Sequence, residues 1–372
     1  MKVVKVMIEK KPLSNILQFK NGKKRPKDIG TVPVYGGNGI LGYANAGNSK
    51  ECVIIGRVGA YCGSVYFEKN DCWISDNAIG AYARNNTDIV YAYYLLKSQC
   101  LNERRIGTSQ PLLTQEILNN IEVPILSYNE QIKVGRFLGK IDEKIELNTK
   151  INENLEQQAQ AYFEDLFVVN ADPNWPECTL SDIGSIVAGG TPSKSKPEYY
   201  ADQGIAWITP KDLSIDKSKF ISHGENDISE LGFSKSSAKK MPAGTVLFSS
   251  RAPIGYIAIA QNELTTNQGF KSVIPNEKIG TSYVYFLLKN LLPTIEGMAS
   301  GSTFKEISGA GMKSVPTVMP DVDTIQFFNN FCEPIFKEQE ILEAENRRLS
   351  ALRDSLLPKL MSGEIDISSL DI

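Results

Sequence analysis

The chain repeats part of its own sequence at long range. The segment YAYYLLKS at 91–98 recurs as YVYFLLKN at 283–290, and Val123-Pro124 recurs as Val315-Pro316, in both cases at a shift of 192 residues. A period of this length is too long for a solenoid unit and indicates a duplicated domain. We therefore expect two similar halves, each large enough to bury its own core.

Both halves have the same order of expected elements. Gly- and Asn-rich turns interrupt a strand-rich part, for example VYGGNGILGY at 34–43 and AWITP at 206–210. A short helix follows at 89–98 or 281–291, then a Gly/Ser loop, a strand that ends in Pro, and a long helical stretch. Aligning the halves pairs Arg57 with Arg251, and Asp76-Asn77 with Asn267-Gln268.

The two long stretches have the apolar spacing of paired helices. Apolar residues recur at intervals of three and four over 129–167 and 322–361, and Pro358 is expected to end the second helix. Helices of 35–40 residues would be roughly 50–60 Å long, more than a small domain needs. Each could cover its own half, but two copies that each end in a long helix with an apolar seam favour pairing, and the polar residues in the seam would then fix its register. The residues expected to pair are Leu138, Ile141, Ile145, Leu155, Tyr162, Ile335, Leu342, Leu349, Leu352 and Leu356.

These patterns predict an α+β fold with pseudo-two-fold symmetry. Two similar globular α/β domains are each followed by a long helix, and the two helices pair as an antiparallel coiled coil. The expected boundaries are 1–126 for the first globular domain, 127–168 for the first helix, 169–319 for the second domain, and 320–372 for the second helix with the C-terminal tail.

Composition narrows the class of protein. The net charge is −3, yet the first 27 residues hold nine Lys and Arg against one acidic residue. A basic surface can therefore exist in an overall acidic chain. No run of about 18 apolar residues is present, and the apolar stretch at the N-terminus is too short for a signal peptide, so we expect a cytoplasmic protein without membrane contact. The six cysteines form no C-x-x-C pair, which favours free thiols over disulfides or a metal site.

Catalytic motifs are scarce. His223 is the only histidine, in a polar stretch typical of a solvated loop. No G-x-x-x-x-G-K-[ST] loop is present, which argues against nucleotide-driven translocation by this chain. Asp172-Pro-Asn-Trp175 is similar to the Asp-Pro-Pro-Trp motif of amino-methyltransferases but lacks its second proline and an upstream glycine-rich loop. We interpret it as a linker between the halves, and we expect no catalytic or metal-binding residues.

The motifs and their order resemble a known family. VPVYGGNGILGY at 32–43, GRVGAYCGS at 56–64 and WISDN at 73–77 are similar to one target recognition domain of the specificity subunit of a type I restriction-modification system. The second half resembles another form of that domain in GGTPS at 189–193 and AWITPKDL at 206–213. The Glu130-Gln131 pair after the first Val-Pro has no counterpart in the second copy. The first half lacks the Trp-Ile-Thr-Pro motif, so the halves are expected to recognise different sequences.

The resemblance implies a function and partners. In this family each globular half recognises one part of a split double-stranded DNA target, and the paired helices hold the two readers apart. Two methyltransferase subunits dock against the helices, and restriction/translocase subunits join them. S-adenosylmethionine, ATP and Mg²⁺ are expected in those partner subunits only, and this chain is expected to be a non-catalytic recognition subunit.

The chemistry of base readout supplies candidate residues. Arg suits guanine, and Asn or Gln suits adenine, in the major groove. Gly/Ser loops offer hydroxyl and N–H groups to phosphate oxygens, and lysines neutralise phosphates. The candidates for base contact are Arg57, Asn77, Gln110, Lys211, Arg251, Asn267 and Gln268. Those for phosphate contact are Lys23, Lys24, Arg25, Ser109, Lys194, Lys196, Ser302, Thr303 and Lys305.

Plainer interpretations stay open at this point. Arg57 and Arg251 lie beside apolar strands and could form buried ion pairs or clamp backbone carbonyls, while the Asn and Gln side chains could cap turns. Two other functions also fit the sequence. One is the recognition subunit of a restriction system that cuts both sides of its site, and the other is a coiled-coil scaffold without a DNA role.

Overall fold

The computed structural model describes residues 10–107, 111–301 and 305–365. The chain forms two compact units, one made of Met1–Leu147 with Asn346–Ile372 and the other of Asn148–Glu345. Each unit thus contains one globular part and a segment of both long helices. The contiguous boundaries expected at 126, 168 and 319 stay predictions.

The first half of the chain builds a six-stranded sheet in the order β2-β7-β5-β6-β3-β4. All neighbours are antiparallel except β3 and β6, and β1 pairs separately with β8. Its elements are β1 (Lys10–Pro12), β2 (Leu17–Asn21), β3 (Val32–Gly36), β4 (Gly39–Ala44), β5 (Ser49–Gly56), β6 (Val65–Ile74), β7 (Ala78–Ala83), α1 (Ile89–Lys97), α2 (Gln115–Asn119), β8 (Glu122–Pro124) and α3 (Tyr128–Glu164).

The second half builds a five-stranded sheet, β10-β18-β15-β16-β13, and a four-stranded sheet, β11-β14-β12-β17, with β19 paired to β9. Its elements are β9 (Glu177–Thr179), α4 (Leu180–Ile183), β10 (Gly184–Ala188), β11 (Tyr200–Ala201), β12 (Ile205–Ile208), α5 (Pro210–Ile215), β13 (Phe220–Ile221), β14 (Asn226–Ile228), α6 (Glu230–Ser234), β15 (Val246–Ser250), β16 (Ile254–Ala260), β17 (Thr265–Thr266), β18 (Lys271–Pro275), α7 (Thr281–Met298), α8 (Gly309–Lys313), β19 (Pro316–Val318) and α9 (Val322–Met361).

The two halves share one strand plan. The order β2-β7-β5-β6 of the first sheet corresponds to β10-β18-β15-β16 of the second, and the pair β1–β8 corresponds to β9–β19. The long strand β6 corresponds to both β16 and β17. Its end pairs in parallel with β3, as β17 pairs in parallel with β12. Duplication is therefore visible in the topology as well as in the sequence.

Each long helix starts at a polar cap encoded in the sequence. Ser127 N and Oγ both donate to Glu130 Oε2 (2.8 and 2.6 Å) at the start of α3. Thr324 N and Oγ1 donate to the carboxylate of Asp321 at the start of α9 (2.8 Å each). These side chains satisfy groups that a helix terminus leaves without an intrahelical partner.

The helices form part of the core in both units. In the first unit, Leu138 of α3 and Leu360 of α9 join the cluster built on Tyr91 and Leu95 of α1. In the second unit, Phe163 of α3 and Phe328 of α9 pack with Phe286 of α7, with ring centroids 5.6–6.1 Å apart. Apolar burial thus attaches both helices to each globular part.

Within each unit the two helices also contact each other through polar groups. In the first unit, Arg353 Nη1 lies 2.6 Å from Asp142 Oδ1, and Asn346 Nδ2 donates to Ile145 O (3.4 Å). In the second unit, Asn148 Nδ2 donates to Glu345 Oε2 (2.7 Å), and Gln339 Nε2 donates to Asn152 O (3.0 Å). In both, residue numbers rise along α3 as they fall along α9. This antiparallel pairing, with the two like α/β domains, confirms the predicted fold class.

The residues expected to pair behave differently from one another. Leu138, Ile141 and Leu342 are buried, and Ile145, Leu155, Tyr162, Ile335, Leu349 and Leu356 are half-buried. Leu352 is 46% exposed, so its expected place in the seam is wrong. The neighbouring Arg353 takes the position facing α3 because it can pair with Asp142. Pro358 does not end α9, which continues to Met361.

A buried ion cluster joins α3 to the globular part of the second unit. Glu156 of α3 forms an ion pair with Lys219, and its Oε1 accepts from Lys289 Nζ (2.5 Å) and Tyr285 OH (3.2 Å). Lys219 Nζ also donates to Gln339 Oε1 (2.6 Å) and lies 4.0 Å from the centroid of the Phe336 ring.

The pKa values in this cluster show how closely its charges depend on each other. Burial raises the pKa of Glu156, but the charges of Lys219 and Lys289 outweigh burial and hold it below its usual value. Burial lowers the pKa of Lys219, although Glu156 opposes that effect. A buried cation of this kind needs its carboxylate partner.

All six cysteines are free, and the Sγ atoms of Cys52 and Cys72 lie 3.8 Å apart inside the first unit.

Within the described residues, no helix combines the length and the apolar character needed to cross a membrane.

We predict that Glu156→Gln lowers the free energy of unfolding by about 2–4 kcal/mol, because Lys219 stays buried without its anion. Glu153→Gln is the matched control, since Glu153 is exposed on the same helix and loses the same charge. It should change stability by less than about 0.5 kcal/mol. Calorimetric unfolding of the full chain measures both, and equal stability of the two variants would contradict the role given to Glu156.

Candidate nucleic-acid interface

A tight turn at residues 75–77, the first turn, joins β6 to β7. Tyr35 O accepts from Ser75 N (2.9 Å), and Arg57 N donates to Asn77 O (2.9 Å). Ala78 N donates to Ser75 O (3.0 Å). Backbone groups at or beside three strand ends therefore fix the path of this turn.

The second unit has an equivalent turn at residues 267–269, the second turn, between β17 and β18. Ile208 O accepts from Asn267 N (2.9 Å), and Ser250 N donates to Gly269 O (2.7 Å). Phe270 N donates to Asn267 O (3.2 Å). The same three bonds thus hold both turns, although the side chains differ.

These bonds match the two turns residue by residue. Asp76 is at the tip of the first turn and Gln268 at the tip of the second, while Asn77 corresponds to Gly269. The sequence alignment paired Asp76-Asn77 with Asn267-Gln268 and is wrong by one residue. It followed side-chain similarity, whereas the turns are held by backbone groups that every residue carries.

The same correction applies to the arginines. Arg57 N and Ser250 N make equivalent bonds, so Arg57 corresponds to Ser250. Arg251 instead corresponds to Val58, since Arg251 bridges to Glu306 as Val58 bridges to Leu112. The two arginines are therefore not copies of one functional position.

A glycine passes directly against each turn. Gly22 N donates to Ala78 O (3.0 Å), and Gly189 N donates to Phe270 O (3.3 Å). A Cβ atom on Gly22 would lie 1.9 Å from Ser75 O, and one on Gly189 would lie 2.0 Å from Asn267 O. Only glycine allows the two backbones to approach this closely.

Cationic segments follow these glycines. In the first unit, Lys23 N donates to Ile74 O (2.9 Å) and Lys23 O accepts from Trp73 Nε1 (3.3 Å), which places the exposed run Lys23, Lys24, Arg25 beside the first turn. In the second unit, Gly190 N donates to Thr266 O (2.9 Å), and the chain continues to the exposed Lys194. Both turns thus have a positively charged neighbour.

In the second unit these elements surround a cavity of about 580 Å³. It brings together five of the residues that the sequence proposed, and Thr191, Tyr200 and Trp207 add to its walls. The five are Lys194, Lys211, Arg251, Asn267 and Gln268.

Some polar side chains of this cavity already form ion pairs within the protein, and others do not. Lys211 Nζ lies 2.6 Å from Glu225, whose hydrogen bond and charge raise the pKa of Lys211. Arg251 Nη1 lies 3.3 Å from Glu306, which also faces the buried Lys271 at 3.6 Å. Gln268 and Lys194 are exposed, and neither side chain makes a hydrogen bond or ion pair with another described residue.

The corresponding surface of the first unit carries fewer engaged side chains. Asp76 and Asn77 are exposed. Arg57 is half-buried, and its Nε atom is buried without a hydrogen-bond partner among the described residues. Arg25 lies next to Gly42 and lines a shallow cavity of about 550 Å³ with Tyr43.

The structure leaves some proposed residues apart. Lys196 pairs with Glu198 at 3.8 Å and does not line the cavity of the second unit. Lys305 is exposed. Four further candidates, Ser109, Gln110, Ser302 and Thr303, lie outside the described residues.

Sequence reasoning missed three residues of this surface. Asp76 was visible in WISDN but was given no role, because the candidates for base contact were chosen among residues that suit guanine and adenine. Glu306 was missed because its link to Arg251 spans 55 residues. The buried Thr191 Oγ1 has no partner among the described residues, which only the structure reveals.

The described residues contain no group of three or more His, Cys, Asp or Glu side chains arranged to hold a metal ion. His223 is exposed, with its Nδ1 3.1 Å from Ser222 Oγ, as expected for a solvated loop residue.

Two like α/β domains, each with a polar turn beside a cationic segment and each followed by a long helix, define a duplicated recognition protein. The sequence matches the family described as type I restriction modification DNA specificity domain twice, at residues 6–157 and 173–342. These matches cover most of the chain, which therefore belongs to this family, and the resemblance noted in its motifs is confirmed.

Individual relatives agree with this assignment. The chain is 37% identical over 190 residues to the type I restriction enzyme MjaIX specificity subunit of Methanocaldococcus jannaschii, a match that covers 49% of this chain and 44% of that protein. It is 26% identical over 339 residues to the HindI specificity subunit of Haemophilus influenzae, covering 71% and 73%. The chain therefore spans less than half of the first relative and almost three quarters of the second.

A solved structure shares the fold. The crystal structure of the S subunit of a type I restriction-modification system from M. genitalium matches with a TM-score of 0.64 at 19% identity, over 98% of each chain.

We predict that Gly22→Ala destabilises the first unit by about 1–3 kcal/mol, because the new methyl group forces the first turn to move. Gly139→Ala in α3 is the control, since its Cβ would meet only Val90 Cγ1 at 3.9 Å. That change should be neutral or should stabilise by up to about 1 kcal/mol. Thermal unfolding measures both, and a Gly22→Ala protein as stable as Gly139→Ala would show that the turn has room to spare.

Proposed function

We propose that this chain is the DNA specificity subunit of a type I restriction-modification system and recognises a split target, one half-site per recognition domain. The observation that supports this most strongly is the repeated turn frame. Two equivalent turns, each beside a cationic segment, carry different exposed side chains. Duplicated frames with different side chains suit the recognition of two different half-sites.

The chemistry of the side chains separates expected phosphate contacts from expected base contacts. Lys23, Lys24, Arg25 and Lys194 are exposed cations that suit phosphate oxygens, which position a protein on DNA without selecting sequence. The tips of the turns and the walls of the cavity suit base edges. Arg251 would need to leave Glu306, or share its guanidinium, to reach a guanine.

The remaining roles concern partners. Two methyltransferase subunits would dock against the long helices, and restriction/translocase subunits would join that core. S-adenosylmethionine, ATP and Mg²⁺ would belong to those subunits, and this chain would contribute recognition without catalysis. Within this proposal the paired helices act as a ruler, since half-sites on one face of B-DNA lie about 34 Å apart.

The direct test is to co-express the chain with the methyltransferase subunit of its system and to map methylated adenines by sequencing. Two short specified sequences separated by a fixed unspecified gap are expected. A coiled-coil scaffold without a DNA role would give no methylation pattern that depends on this chain.

Lys194→Ala should weaken binding to all duplexes alike and lower the slope of log K against log salt by about one, because one phosphate contact is lost. Lys196→Ala is the matched control, since Lys196 is two residues away but pairs with Glu198 outside the cavity. Its salt slope should stay near that of the wild type. Affinities measured between 50 and 200 mM salt (roughly the range over which phosphate contacts dominate) decide the point. A loss confined to one base position would contradict a phosphate role for Lys194.

Insertion of one heptad into α3, or into both α3 and α9, should lengthen the unspecified gap or abolish binding, because the helices set the spacing. Methylation mapping of both variants measures the gap. An unchanged gap in both would exclude the ruler.

A further inference from the structure

The tips of the two turns are equivalent positions with different hydrogen-bonding chemistry. The same three backbone bonds hold both turns, so Asp76 and Gln268 occupy corresponding places. Both are exposed, and neither side chain makes a hydrogen bond to another described residue. Asp76 offers only acceptors, whereas Gln268 offers an amide donor and an acceptor together.

The residues that precede the tips, Asn267 and Ser75, are not available for contacts with a ligand. Asn267 Oδ1 accepts from Gly269 N (2.8 Å) and so closes its own turn. Ser75, the corresponding residue of the first turn, is 1% exposed. Gln268 O accepts from Lys271 Nζ (3.4 Å), which fixes the backbone at the tip while leaving the side-chain amide free. In each turn the tip is thus the position that both halves share and that remains available.

The surroundings make an acidic tip compatible with DNA. A lone carboxylate near phosphates would be repelled, but Lys23, Lys24 and Arg25 lie beside the first turn, since Lys23 N donates to Ile74 O directly before the turn and Lys23 bridges to Ser75. An exposed acidic side chain beside a cationic run, with no cap or ion pair among the described residues, suits a specific acceptor role better than a general one.

Resting on the proposed function, we propose that Asp76 and Gln268 determine one base pair in each half-site: Asp76 selects a cytosine and Gln268 selects an adenine. In the major groove, cytosine presents the N4 amino group, which a carboxylate can accept. Guanine presents two acceptors, which a carboxylate repels. Adenine presents N6–H and N7 side by side, which match the two groups of a Gln amide. The equivalent frames place these two side chains at the same point of each domain.

The test compares the targets of near-isosteric variants. The full chain, alone and with its methyltransferase subunit, is used to select from a pool of duplexes randomised at every position. Asp76→Asn should change one position of one half-site from cytosine to adenine, since it replaces an acceptor with an amide. Gln268→Glu should change one position of the other half-site from adenine to cytosine. Each preference should shift by about 10- to 100-fold, the discrimination typical of a good side-chain pair.

Two controls carry the same change in charge. Asp71→Asn removes an exposed carboxylate of β6 that pairs with Lys50 (3.8 Å), and Gln203→Glu adds one elsewhere on the second unit. Neither should alter the selected sequence. In every variant the half-site that is not addressed should remain as in the wild type, which shows that the protein is folded.

A second measurement probes the wild-type contact directly. Replacing the selected adenine with 7-deaza-adenine removes the N7 acceptor and should weaken binding of the wild type, but not of Gln268→Ala. The proposal is overturned if both variants select the wild-type target, if they lose affinity equally for all sequences, or if 7-deaza-adenine affects both proteins alike. If the wild type itself selects no sequence, the proposed function fails, and not merely this assignment.

Discussion

Backbone hydrogen bonds to two short turns are the constraint on which the proposed recognition surface depends. Each turn is closed by an amide from the end of one strand and anchored by a carbonyl from another, with a glycine backbone pressed against it. Because these bonds use groups that every residue has, they tolerate changes of side chain at the tip. A frame of this kind can present different chemistry in each half without changing its shape. That is the property a specificity protein needs.

The long helices solve a different problem by combining apolar and polar contacts. Leu138 and Phe163 of α3 are part of the cores of the first and second units respectively, which gives the helix its stability. The polar contacts Asp142–Arg353 and Asn148–Glu345 add direction, since a hydrogen-bonded pair inside a seam tolerates little sliding. Among the described residues, Glu156 in the second unit pairs with Lys219 and accepts from Tyr285 OH, whereas Asp142 in the first unit pairs with Arg353 and accepts from Tyr94 OH (2.6 Å). Duplicated halves have thus kept their topology while their polar contacts diverged.

Most of the architecture could be predicted from the sequence. Apolar periodicity located both long helices to within a few residues, because a helix that buries one face must repeat that face along its length. Proline was a weaker guide. Pro358 lies inside α9, since one missing N–H costs a single backbone bond that the packing of Leu357 and Leu360 can offset. Leu352 fitted the spacing of the seam but is exposed, because the position beside it pairs through charge.

The sequence alone determined that this protein has two like halves, a strand-rich part and a long helix in each, and a set of polar residues from which a binding surface could be made. Repetition and periodicity are properties of residue order, so they can be read without coordinates. Tertiary structure decided which of those residues meet. Arg251 and Glu306, or Gly189 and the second turn, lie far apart in sequence, and their contacts exist only after strands from different parts of the chain have paired. The structure also settled the register of the two tips, through hydrogen bonds between backbone groups that every residue carries.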